Sequence, residues 1–126
     1  MMASEIIIAP DAVAPGKTSV SSDSRGDVWS EGTKCGYTFM AATTPNSLIP
    51  DQLNGTDCVN PSGNPPCIQT SGNTRMFNAA RSYHSGGVNV LFSDGSVKFV
   101  KNTINQATWW ALGTRAGGEI VSSDSY

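Results

Sequence analysis

The chain has 126 residues, 38% of them hydrophobic and 14% charged, with a formal net charge of −2. That length suits one domain, burying roughly two-thirds of its unfolded surface around one modest core. The charge argues against non-specific nucleic-acid binding, which needs clustered cations to release counterions. No apolar run approaches the ~18 residues of a membrane-spanning helix, so the chain as given is expected to be soluble and without a membrane segment.

From Thr74 to Arg115 five cations face Asp94 alone, a local charge of +4 against −6 for the remainder. These charges read as solvating faces. Met1-Met2 reads as an expression start, or as an internal start in a longer reading frame. The apolar segment Ile6–Ile8 is too short and wrongly flanked for a signal peptide and is expected to be a strand. Residues 21–27, SSDSRGD, are expected to be loop. Residues 36–42, GYTFMAA, have the aromatic, alternating character of a strand.

Five of the seven prolines then fall between Pro45 and Pro66. Proline has no amide donor and is excluded from sheet interiors, so residues 45–74 are expected to form a long surface loop. A loop of that length is usually functional or stapled. Cys58 and Cys67 flank a turn-rich stretch within it. They are either bridged or two free thiols; a bridge would close a ten-residue ring worth about 2.7 kcal/mol in the chain-entropy treatment and imply an oxidising compartment. Cys35 is left over. With one histidine and no zinc-type spacing, a structural zinc site is not expected. The triplet Asn54-Gly55-Thr56 reads as a turn.

The C-terminal part is the most legible. Residues 87–100 contain two apolar runs flanking Asp94-Gly95, a favoured pair for a two-residue type I′ turn. With that turn Phe92 would face Val97 and Val90 would face Phe99, giving one apolar face. A helix should follow, opened by a Thr103–Gln106 capping box. Its apolar stripe would be Ile104, Ala107, Ala111 and Leu112, with Trp110 at the edge and Gly113 as C-cap. A last short strand is expected at Glu119–Val121. The fold class is thus α+β, mainly β: an antiparallel sheet with a C-terminal hairpin, one short helix and long irregular loops.

His84 is the only histidine, and nine residues separate it from Asp94. Six extended residues span about 20 Å, which puts Asp94 at the hairpin tip and His84 near its base. The two side chains are then too far apart to share an ion, so the spacing is architectural. His84 should lie near Arg81 and the start of the helix, bonded to Glu119 or to a backbone carbonyl. No G-x-S-x-G elbow and no phosphate-cradling glycine loop is present.

The pattern of His84, nine residues, then Asp94-Gly95, with the segment through Tyr126, resembles the C-terminal region of bacterial prepilin-like proteins carrying a processing-associated H-x9-D-G motif. Residues 25–29, RGDVW, and 43–51, TTPNSLIPD, are similar to upstream portions of the same family. The resemblance implies an extracytoplasmic, β-rich pilin-like head spanning residues 1–126. The family's processing site and long apolar helix are missing here, which implies a head fragment or truncated relative. It also implies a role in the cell envelope beside pilin-like subunits or envelope proteins. Because related pseudopilins hold calcium, the resemblance further directs attention to the oxygen-rich stretches Asp51 to Asp57 and Ser122 to Asp124. Asp51, Asp57 and Asp124 are the candidate ligands there.

Three functional readings result. The leading one is a non-catalytic head domain with a structural or adhesive role. The second is a small divalent-metal-assisted hydrolase of esters or lactones, with His84 and Glu119 as acid–base pair. The third is a partner-binding module built on the 45–74 loop.

Overall fold

A computed structural model describes residues 1, 3–9, 12–13, 20–21, 23, 25–26, 39–54, 58–59, 65–71, 76–114 and 117–122. The fold is mainly β, with one helix among these residues. Strands β1 (Ala3–Ser4), β6 (Gly87–Leu91) and β7 (Val97–Lys101) form an antiparallel sheet in the order β1-β6-β7. Strands β2 (Ala12–Val13) and β3 (Val20–Ser21) make a small antiparallel pair. Strands β4 (Asp51–Asn54) and β5 (Cys67–Thr70) pair in parallel. Helix α1 covers Gln106–Gly113.

The hairpin forms where expected, but its register differs by one residue. Leu91 pairs with Val97, Asn89 with Phe99 and Val88 with Val100. The loop is a three-residue one: Gly95 N–H donates to the Phe92 carbonyl and Phe92 N–H to the Ser96 carbonyl. Gly95 has φ +84°, the left-handed residue that a turn-plus-bulge loop requires. One added loop residue shifts the pairing, and in a strand that exchanges faces. Val90 and Phe99 therefore lie on opposite faces of the sheet. Val88, Val90 and Val100 are buried, whereas Phe99 and Val97 are exposed.

The buried face packs against Ala80, Ile104 and Trp109, with Met1, Phe39, Ala41, Phe92 and Leu112 around them. Helix α1 presents Trp109, which is wholly buried, while Trp110 stands half exposed. The cap is Asn105, not Thr103: its side chain accepts the Ala107 N–H at 2.8 Å. Gln106, expected in a capping box, instead donates across the domain to the Ala41 carbonyl. Gly113 is the last helical residue and Thr114 the C-cap, whose N–H and hydroxyl both reach the Ala111 carbonyl.

Other expectations are corrected. Ile6–Ile8 is not a strand. The pairing lies just before it, at Ala3–Ser4, and the segment is held by single long-range bonds, Arg81 N–H to Glu5 O and Ala9 N–H to Arg25 O. Residues 39–42 are loop and turn rather than strand; residues 36–38 lie outside the described residues. The 45–74 segment is not all loop, because its proline-free stretches form β4 and β5. Their parallel pairing needs a long crossover, supplied by residues 55–66. Glu119–Val121 forms no strand.

Asn46 ties the 39–50 loop to the base of the hairpin. It adopts φ 52°, a left-handed conformation that asparagine tolerates better than most residues. Its amide donates to the Gly87 carbonyl and to Asn102 Oδ1, and its oxygen accepts the Ser82 N–H at 2.8 Å.

Candidate functional site

His84 lies in the loop that feeds β6, where Gly86, at φ +87°, turns the chain into the sheet. Its Nε2 lies 2.9 Å from Glu5 Oε1. Glu5 continues past the end of β1, and its carboxylate takes over where the ladder stops. Oε2 accepts the Asn89 backbone N–H at 2.7 Å and Oε1 accepts the Asn89 side-chain amide at 3.1 Å. Ser4 Oγ donates to the Asn89 carbonyl beside it. Partial burial pushes the Glu5 carboxyl up, but the Asn89 donors and His84 together hold it below its ordinary value. An ionised carboxylate only accepts, so Nε2 carries the proton in this pair.

The imidazole also meets the Phe99 ring edge-on, with centroids 6.3 Å apart. The ring of Phe99 lies over Gly87, where a Cβ would run into the Val100 carbonyl and sit 2.8 Å from that ring. Ser82, two residues before the imidazole, is committed to the turn: its Oγ donates to the Gly87 carbonyl at 2.7 Å and accepts the His84 N–H. It is not presented to the imidazole as a nucleophile. Beside His84 runs a groove of about 460 Å³, walled by Ile6, Ile8 and Tyr83. Its polar end is the Glu5–His84 pair.

Behind the groove is a buried ionic network. The Arg25 guanidinium grips Asp23 with Nε and Nη2 at 2.8 and 2.9 Å, and reaches Asp51 Oδ2 with Nη1 at 3.1 Å. Arg81 binds the same Asp51 from the other side, Nη2 to Oδ1 at 2.9 Å. The remaining donors go to carbonyls: Arg25 to Pro65 and Pro66, Arg81 to Ser47 and Ile49. Ala79 N–H completes Asp51. All four side chains are buried. Burial lowers the proton affinity of Arg25, but Asp23 and then Asp51 outweigh it and raise the guanidinium above its ordinary range. Two anions and two cations balance, as a buried cluster must. The network fastens the 23–26 turn, β4, the proline pair and the 79–81 segment to one another.

The residues singled out in the sequence thus separate. Asp94 is at the hairpin tip, accepting the Ser96 N–H at 2.9 Å and its hydroxyl at 2.7 Å; these bonds hold its carboxyl below the usual range. It shares no contact with His84. Glu119 accepts from Thr114 Oγ1 at the end of α1, and His84 takes Glu5 in its place. Asp51, expected among calcium ligands, has both oxygens claimed by arginines. Asp57, Asp124 and Cys35 lie outside the described residues. Cys58 and Cys67 are disulfide-bonded, with Cα atoms 5.8 Å apart, and with Leu53 form a second small core. Among the described residues no group of three His, Cys, Asp or Glu side chains stands close enough to hold a metal ion.

Sequence reasoning missed Glu5, hidden in an apolar segment, and the Asp23–Arg25–Asp51–Arg81 cluster. The one available signal was that arginines are scarce in so lightly charged a chain. Comparison with curated proteins and with solved structures returns no match. Residues 1–107 match the model of a family described as "Protein of unknown function (DUF1559)". With most of its length matched, the chain belongs to the DUF1559 family.

Proposed function

We propose that this chain is the head domain of a prepilin-like envelope protein, non-catalytic, extracytoplasmic, and structural or adhesive in role. Its partners would be pilin-like subunits or other envelope proteins. The observation that carries this reading is the Cys58–Cys67 disulfide, because such bonds persist in oxidising compartments and are rare in the cytosol. Membership of the DUF1559 family and the His84…Asp94-Gly95 pattern support the same assignment. So does the use to which the ionisable groups are put. Asp23, Arg25, Asp51 and Arg81 are buried against one another, and His84 is tied to Glu5, an arrangement that fastens segments together.

The test is to express the protein from its native reading frame in its host with a C-terminal tag. Protease accessibility on intact cells and maleimide labelling before and after reduction are then measured. The reading predicts a protease-accessible tag and Cys58 and Cys67 thiols that label only after reduction. A protected, cytosolic protein with freely labelling thiols at these two positions would sink it.

A further inference from the structure

Among the described residues, no strand pairs with the outer side of β7. In the β6–β7 ladder the hydrogen-bonded pairs are the even-numbered residues, since Phe92 bonds Ser96 and Asn102 N–H reaches the Gly86 carbonyl. Antiparallel pairs alternate, so the N–H and C=O groups of Val97 and Phe99 point away from β6. On the β6 side the matching groups of Asn89 are taken by Glu5 and Ser4. On the β7 side no described residue takes those of Val97 or Phe99. The side chains of Val97 and Phe99 are 64% and 44% exposed on the same face. An edge with unpaired backbone and an apolar face is a template for an added strand.

The edge is also cationic, through Lys98 and Lys101. Pairing β7 with β7 of a second copy would crowd four lysines onto one ribbon, which like-charge repulsion disfavours. A segment of complementary charge is present elsewhere in the same chain. Residues 119–124 read Glu-Ile-Val-Ser-Ser-Asp, with acids at both ends and two β-branched residues between. Residues 119–122 belong to no ladder, and Ile120 is fully exposed. Strand alternation would set Ile120 on the face of Val97 and Phe99, and Glu119 on that of Lys98.

We propose that the 119–124 segment of one copy adds to the free edge of β7 of a second copy as a fourth strand. Such a contact joins two different surfaces, so it closes reciprocally into a ring of copies when the rotation allows and otherwise propagates. It uses only residues of this chain and needs neither an upstream helix nor an envelope partner. Its failure leaves the head-domain reading standing, and the reverse holds too.

Sedimentation velocity over a range of concentrations, together with anisotropy of a labelled synthetic peptide of residues 117–126, tests it. The expected result is concentration-dependent association and saturable peptide binding that weakens with salt. Val97→Pro removes an outward N–H without touching the β6 ladder and should weaken peptide binding by about tenfold or more. Ile120→Asp, at a fully exposed position that the fold does not need, should weaken self-association by about tenfold or more. A chain that stays monomeric throughout and binds no peptide would overturn the proposal. So would association unmoved by Ile120→Asp, which points to a different interface, and tail docking confined to the chain's own β7.

Discussion

Glu5 and His84 are 79 residues apart in sequence and 2.9 Å apart in space, and the carboxylate that joins them also closes the β1 side of β6 through Asn89. The folded protein holds Glu5 below its ordinary value of 4.5. The stabilisation it contributes is therefore complete above the unfolded-state pKa and is lost as pH falls through the lower folded-state pKa. Urea unfolding at stepped pH should show stability falling from about pH 5 to about pH 3. Glu5→Gln should flatten that slope and lower stability at neutral pH by about 1 kcal/mol. An unchanged slope in the variant would assign the acid sensitivity to other carboxylates.

Asp51 stands buried between two guanidiniums. Replacing it by Asn keeps the shape but leaves buried positive charge uncompensated. The expected loss is about 3–5 kcal/mol, a large part of a small domain's total stability. Equilibrium denaturation of Asp51→Asn, Arg81→Met and the double variant should show the double change costing less than the sum of the singles. Strict additivity would mean that the two side chains do not act as one unit.

The Cys58–Cys67 bond closes a short ring at the end of the β4–β5 crossover. Replacing both cysteines with alanine should lower the unfolding free energy by about 2.7 kcal/mol, the chain-entropy value for a ring of this size. Reductant should shift the denaturation midpoint of the native protein by a similar amount and leave the double variant unmoved. A variant as stable as the parent would mean that the β4–β5 pairing and the arginine network hold the loop without the staple.

Two glycines of the hairpin should respond unequally to alanine. Gly95 has φ +84° but open space around a Cβ, so Gly95→Ala should cost about 1–2 kcal/mol from backbone conformation alone. At Gly87 the new methyl meets the Val100 carbonyl and the Phe99 ring, and part of the ladder must move. Gly87→Ala should be the more damaging of the two by thermal or chemical denaturation. It should also disturb the His84 resonances in NMR through Phe99. The reverse ranking would mean that the hairpin base yields more readily than its tip.

What the sequence determined by itself was local. The Asp-Gly turn, the strands beside it and the helix with its polar cap depend on residues a few positions apart, where φ/ψ preference, alternation and capping act. Even there, the single extra loop residue that sets the register was not decided by the turn pair, because Gly95 serves a two-residue or a three-residue loop equally well. Trp109 rather than Trp110 faces inward because the core, not the helix, chose the face. Only the tertiary structure decided the rest. Glu5 meets His84, and Asp51 is captured by Arg25 and Arg81, because packing brings distant segments within reach of one another. Charges sealed from water must then find partners at that spot. No spacing along the chain encodes such a meeting; it is enforced by the cost of leaving those groups unpaired once the fold has closed over them.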